Sequence, residues 1–593
     1  MQTGPAKFGV ADARLEGKEK DLVLTHAHPA DAAPAYDATT YVADFKGRRK
    51  VSLAEYMFYA RRQRENEMND KTVVRAKGVS QLIHRIKDKK GGGDISSEKQ
   101  SETDSEALQH SIEEDLDGLT DRERELITAR RALRVAGWAS IFYLITTDIL
   151  GPFNAGYSIS QMGMVPGVLL FILFGVVAGI TGWLLQWLFL HMDSLRYPVR
   201  TYGDLAERLF GSWARHGCSI LQGVQLLLNT GLIVLSNGQS LSQITKAHLC
   251  FIACIVIFMA IGMVGGQIRG LQNLSIFANA SVWLNLLIIF ITLGAMAHSQ
   301  PNFAAAVQSY GAAVANGPVK VEAIRKLHTQ DGVNGAFNMV FAYGGSMIFP
   351  ELLSEMRRPR EFLKGMLMAQ TLIIVVYLAF GIAVYAMQGQ YTLALAYQGI
   401  GQYGLQTACN VIAVITGTIA AVLYANIGLK VFYVSIVEDL LRGPPLMSKN
   451  GRFTWSALVI LWWGVAFVVG TAIPSVGALS GLVAAICIFQ FTYTFPPVMA
   501  LGLMMHQDAA VQDEEWTKSV TNPRKADSWY NFSRWRRGFF GGSWKRVSLK
   551  SLALFTFIAA LATDGLGLWA TGTVVREALS SGGSTSFSCT APV

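Results

Sequence analysis

The sequence predicts an all-α integral membrane protein of eleven transmembrane helices, ten of them forming a five-plus-five inverted repeat. Three observations predict it. Hydrophobic residues fill 51% of the 593 positions and charged residues only 16%, a balance that suits a chain embedded in lipid. Eleven apolar stretches reach the length of about 20 residues that crosses a hydrocarbon core. Lys and Arg crowd into alternate loops, as a fixed orientation in a bilayer requires.

Residues 1–134 come before the first span and hold 24 of the 51 Lys and Arg. "MQTGPAKFGVADARLEGKEK" lacks the apolar core of a secretory leader. The segment is expected to be a cytoplasmic tail, largely disordered, with the Gly-rich, charged "KDKKGGGDISSEKQSETDSE" as linker. "VSLAEYMFYARRQRENE" sets Leu53, Tyr56, Met57 and Ala60 at helical spacing and predicts one amphipathic helix. "TDRERELITARRALRV" predicts a charged helix leading into the membrane, capped by Thr120 or Asp121. A solvated tail is the expectation and a regulatory one the alternative.

Spans are expected near 135–160, 165–190, 218–238, 249–266 and 274–297, which make a first repeat over 135–297. An extracellular loop, 298–334, leads to a second repeat over 335–505, with spans near 335–354, 365–387, 406–434, 455–472 and 476–505. A cytoplasmic basic loop, 506–550, precedes the eleventh helix near 551–575 and an extracellular tail ending at 593. With the N-terminus inside, 21 basic residues fall in inside loops and 5 in outside ones, Lys430 alone lying within a span. The N-terminus is therefore expected in the cytoplasm, and the C-terminus outside the cell or in a lumen.

An odd number of helices per half inserts the second half upside down, the inverted-repeat plan of many secondary transporters. That plan calls for interrupted helices at matching positions. The first span carries "DILGPFNAGYS", and the sixth carries "FAYGGSMIFPELLSEM". Unwound backbone in lipid leaves N–H and C=O groups unpaired, so it persists only where it lines a cavity. Pro152 lacks an N–H, and Gly151 and Gly156 relax the chain. Freed amides and the start of the following half-helix suit a carboxylate, and freed carbonyls suit an ammonium group or a cation. Candidate substrate-binding residues are Gly151, Pro152, Phe153, Asn154, Ala155, Gly156 and Tyr157 at the first break. At the second they are Phe341, Ala342, Tyr343, Gly344, Gly345 and Ser346. Phe153, Tyr157, Phe341 and Tyr343 flank the breaks and suggest that a neutral, aromatic-tolerant side chain packs among them.

"FAYGGSMIFPELLSEMRRPREFLKGM" resembles the amino acid/auxin permease family, specifically its fungal neutral amino acid permeases. The resemblance rests on Phe341, Tyr343, Gly344, Phe349, Pro350, Glu351, Glu355, Met356, Pro359 and Phe362. "LGPFNAGYSISQMGMVPGVLL" and "RYPVRTYGDLAERLFG" resemble the family's first helix and the loop after its second. The likeness covers roughly residues 130–575. It implies eleven helices, proton-coupled symport of amino acids and a plasma-membrane location, with a vacuolar membrane the alternative. Many relatives carry a proline where this chain has Gly156 or Tyr157, so side-chain selectivity does not transfer.

Asp148, one turn before the first break, is the first candidate for carrying a coupled proton, because an acid at membrane depth must be paired or protonated. A hydrogen bond to Thr146 or Thr147, or a helix cap, is its structural alternative. Glu351 could hold the second half-helix or share the proton, and Glu355, beside Arg357 and Arg358, could gate or anchor. Lys430 is expected to snorkel. Thr416 and Thr418 either face the first break as a cation site or bond their own helix, and Asp564 is assigned no role.

No cofactor is expected beyond a coupling ion, H+. The six cysteines are scattered, with neither a disulfide framework nor zinc-ligand spacing. No basic, aromatic-interleaved stripe marks a nucleic-acid surface, and no histidine or metal cluster at depth marks an enzyme. A channel would show rings of charge. The expected partners are an amino acid and the bilayer, with those of the tail unassigned. A non-transporting amino acid sensor of the same fold is the rival function.

Overall fold

The computed structural model describes residues 51–69, 134, 136–149, 151–268, 271–311, 317–326, 328–446, 448–520, 523–580 and 586–593. Backbone groups without water must bond within their own segment, so the apolar runs fold as helices. Helix α1 (Leu53–Asn69) precedes the bundle. Helices α2 (Trp138–Ile149) and α3 (Ala155–Ser160) are the halves of an interrupted rod, and α4 (Met164–Met192) returns beside them. A capping box between Thr201 and Asp204 starts the short α5 (Tyr202–Phe210). Helices α6 (Ser212–Ile244), α7 (Phe251–Gly265) and α8 (Leu271–His298) follow.

The long loop after α8 is not plain coil. It contains α9 (Phe303–Tyr310), begun by the Asn302 side chain bonding Ala305 N–H. A second interrupted rod consists of α10 (Thr329–Ala342) and α11 (Phe349–Glu355). Then come α12 (Phe362–Gln388), α13 (Tyr403–Phe432) and α14 (Lys449–Ala472). Helices α15 (Val476–Val483) and α16 (Phe495–Ala509) join through two π-helical stretches into one rod. The basic loop holds α17 (Phe532–Phe540), and α18 (Trp544–Ser580) is last.

Among the described residues, eight helices are long and apolar enough to cross a membrane, α15 and α16 counting as one. Helix α7 is apolar but shorter, at 15 residues. At the centre α6 packs on α13 and α14, while α10 packs on α15 and α18. A Cβ at Gly567 of α18 would stand 2.0 Å from the Phe337 ring of α10, so a glycine there is what lets these helices touch.

The two ends of the bundle are tied differently. At one end a disulfide joins Cys250, just before α7, to Cys589 in the C-terminal segment. Phe251 N–H donates to Cys589 C=O, Phe587 N–H to Thr471 C=O, and Ser309 Oγ to Pro592 C=O. The expectation of cysteines without a disulfide is corrected here. Their separation of 339 residues hid a pairing that only the chain's return to the same end creates.

Charges dominate the opposite, basic end. Asp508 pairs with Lys550 at 2.8 Å and Arg546 at 2.6 Å, and Arg534 bridges Asp513 and Asp527. Helix α1 forms where its spacing predicts, but it is no solvated element. Ala60 and Tyr59 are buried, Arg64 pairs with Asp193 at 3.1 Å, and Tyr197 Oη donates to Glu55 at 2.7 Å. Its apolar face found a protein surface instead of water. Thr120, Asp121 and the charged helix expected there lie outside the described residues.

Candidate functional site

The two interruptions fall inside the two rods. In the first, α2 ends at Ile149, and Gly151 (φ −154°, ψ 70°) leads into a 3₁₀ turn, Pro152–Asn154, before α3 begins. In the second, α10 ends at Ala342, and a 3₁₀ turn over Gly344–Ile348 precedes α11, with Pro350 in its first turn. Both prolines sit at the start of a helical segment, where a missing N–H removes no hydrogen bond.

Side chains join the breaks. Asn154 Nδ2 donates to Asn338 Oδ1 of α10 at 2.6 Å. Ser480 Oγ of α15 also donates to Asn338 Oδ1. Asn338 Nδ2 in turn bonds Asn334 C=O at 2.8 Å and Gly477 C=O at 2.9 Å. Asn334, Asn338 and Ser480 are each 1% exposed, so this polar cluster lies deep between three helices. Oδ1 of Asn154 and Oδ1 of Asn334 are buried without a partner among the described residues, leaving acceptors for a donor such as an ammonium group. The cluster needs Gly481, whose Cβ would come within 2.0 Å of Asn334 Oδ1.

Tyr377 of α12 makes a second link. Its hydroxyl accepts from Gly151 N–H at 3.3 Å, and its ring lies 6.4 Å from Tyr343 at the other break. Tyr343 is buried and donates to Phe171 C=O at 3.0 Å. The four flanking aromatics do not share one box. Phe153 meets Tyr397 and Phe380 edge-on at 5.3 and 6.3 Å, whereas a Cβ at Gly477 would touch the Tyr157 ring at 2.7 Å. Phe341 is half-buried against the core. Gly345 and Ser346 are buried within the second turn, and Ala155 and Gly156 are buried in α3.

Glu351 lies in the first turn of α11. Gln222 Nε2 of α6 donates to its Oε1 at 3.3 Å, while Oε2 is buried with no partner among the described residues. Asp148 lies on α2, but its side chain is outside what the structure describes. Glu355 is exposed, Arg358 pairs with Glu361, and the backbone carbonyl of Glu355 accepts from Ala136 N–H. Thr416 and Thr418 bond their own helix, and Thr418 also accepts from Asn237. Asp564 is buried on α18 and accepts from Gln490 at 2.7 Å.

The sequence reading missed Asn334, Asn338, Ser480, Tyr377 and Gln222. One signal was present: "NGAFN" puts two amides four residues apart, on one face of an otherwise apolar helix.

Residues 134–523 match the family described as transmembrane amino acid transporter protein. The chain is 22% identical over 425 residues to the N amino acid transport system protein of Neurospora crassa, covering 68% of this chain and 84% of that protein. It is 28% identical over 179 residues to a transmembrane transporter of Fusarium pseudograminearum, covering 30% of this chain and 36% of that one. A crystal structure of the Eremococcus coleocola manganese transporter aligns at 13% identity over 76% of this chain and 96% of its own. Its TM-score is 0.37.

Proposed function

The chain belongs to the transmembrane amino acid transporter family, and from that premise we propose a proton-coupled symporter of neutral amino acids working by alternating access. The observation that carries the reading is the Asn154–Asn338 bond. It ties the first unwound turn to the helix that leads into the second, joining the two halves of the chain at a buried place. A zwitterion presents a carboxylate and an ammonium group on one carbon. The amides of the first break face the carboxylate, and the free acceptors of Asn154 and Asn334 face the ammonium group.

The proton is assigned to Glu351. A carboxylate with one oxygen on Gln222 and the other buried without a partner is most easily kept at depth with a proton on it. Proton arrival neutralises it, and proton loss to the opposite side resets it. In this scheme eleven crossings, five plus five inverted and one more, put the basic end in the cytoplasm and the disulfide end outside, in the plasma membrane.

Purified full-length protein in proteoliposomes tests the scheme. An inward proton gradient is expected to drive accumulation of radiolabelled Phe, Leu or Met, with Lys and Arg failing to compete. Uptake that ignores the gradient removes symport, and inhibition by Lys or Arg but not by Phe, Leu or Met removes the neutral assignment. Asp148→Asn and Glu351→Gln are compared in the same vesicles. Retention of gradient-driven accumulation by Glu351→Gln, with its loss in Asp148→Asn, moves the proton to Asp148.

A further inference from the structure

Helix α1 is held by contacts that do more than bury an apolar face. Glu55, Tyr59, Ala60 and Arg64 lie on its buried side. The Arg208 guanidinium stacks over Tyr56 at 4.3 Å, and Trp516 from the basic loop meets Phe58 at 4.9 Å and Tyr59 at 5.6 Å. Arg64 is the link to the rest of the bundle. It pairs with Glu67 on its own helix and with Asp193 at the end of α4.

Asp193 is wholly buried and serves three donors at once: Arg64, the Val199 N–H and Arg134. Burial alone would push its carboxyl up, but Arg134 and then Arg64 outweigh burial and hold it below the usual carboxylate range. Arg134 stands just before the first interrupted rod. Two residues on, Ala136 N–H donates to Glu355 C=O at 3.1 Å, and Ala136 C=O accepts from Arg357 N–H at 3.2 Å. The start of the first rod is thus zipped to the end of the second at the basic end.

We propose that α1 is a built-in latch on this junction. Docked, it fixes Asp193, which fixes Arg134 and keeps the start of the first rod against Glu355 and Arg357. Released, it takes Arg64 and Glu67 away from the Asp193–Arg134 pair, and the start of the first rod is free to swing from the second. This inference rests on the transporter reading only for what the junction serves, namely the cytoplasmic gate of an alternating-access cycle.

Amide hydrogen exchange on the full-length protein in lipid nanodiscs, without substrate, tests it, so an absence of amino acid uptake does not decide the outcome. Two variants loosen α1 from opposite sides: Arg64→Gln at the charges and Trp516→Ala at the aromatic contact. In the wild type, the α1 amides and those of Ala136 and Arg357 are expected to be protected. In both variants α1 loses protection, and the Ala136 and Arg357 amides exchange about tenfold faster, within the 5–150-fold usual for coupled sites. The Phe251 amide, bonded at the disulfide end, stays unchanged. The latch is overturned if α1 is unprotected in the wild type or stays protected in both variants. It is also overturned if α1 is released while Ala136 and Arg357 keep their protection. Loss of protection at Phe251 in both variants overturns it too, because α1 is then part of the general fold.

Discussion

The two breaks interrupt their rods in similar ways but are held by different chemistry. The first is tied sideways by hydrogen bonds: Asn154 reaches Asn338 and, at 3.5 Å, Ser480, and Gly151 reaches Tyr377. The second is held mostly by packing, with Gly344 against Ile488 and Tyr343 buried between Phe171 and Tyr377, its hydroxyl bonding Phe171 C=O. The acid nearest it, Glu351, lies a turn beyond the unwound stretch. A polar break can exchange protein partners for a ligand's charged groups at little net cost. A packed break moves as a unit, and so suits the moving part of a gate. In the proposed scheme the difference would divide labour between recognition at the first break and coupling at the second.

The contrast predicts a ranking. Asn338→Leu should have the largest effect, since it takes the short bond from the amide of Asn154 and puts an apolar side chain among polar groups, although Ser480 keeps its bond to Val476 C=O. A polar group left without its partner in the interior costs about 1–3 kcal/mol. A marked fall in the melting temperature of the purified protein should accompany loss of uptake. If Tyr343→Phe at the second break costs as much, the division between polar and packed breaks is wrong.

Glu351→Gln comes next, with an effect on coupling more than on stability. The amide has nearly the same size and can still bond Gln222, so melting should barely change. Accumulation against a gradient should stop while exchange of labelled for unlabelled amino acid continues. Loss of exchange as well would place Glu351 in recognition and erase the contrast.

Gly344→Ala should be milder. Its Cβ would meet the Ile488 side chain at 3.1–3.3 Å, tight enough to force a small shift and to cost about 1 kcal/mol. The thermal shift should be small and transport slowed without a change in apparent substrate affinity. A change in affinity alone would assign the second break to recognition.

Tyr377→Phe is expected to have the smallest effect. It removes one long bond to Gly151 N–H, at about 0.5–1.5 kcal/mol, and leaves the ring that faces Tyr343 in place. Competition assays should show weaker binding at unchanged transport rate, the reverse of Gly344→Ala.

Both breaks were legible because their causes are local. A proline without an N–H and adjacent glycines unwind a helix wherever it packs, so "LGPFNAG" and "YGGSMIFP" announced themselves. Helix α1 was legible too, through its spacing, but its docking was not. Tyr197 and Trp516 come from two distant loops and Arg208 from α5, and nothing in residues 51–69 names them. Where the rings of Phe153, Tyr157, Phe341 and Tyr343 go was not legible for a related reason. Residues beside a break share a sequence neighbourhood, but 3₁₀ and α turns send their side chains to different helices.

The sequence by itself determined where the chain is apolar enough to be helical, where those helices must unwind and which loops carry the positive charge. These properties follow from single residues and their near neighbours meeting lipid or water. The tertiary structure alone decided that Asn154 meets Asn338 and Ser480, that Gln222 meets Glu351, and that Cys250 meets Cys589. Each pairing joins residues more than a hundred positions apart. Such polar groups stay deep in the bundle only because helix packing supplies their partners, and that supply is a property of the assembled helices, not of any one of them.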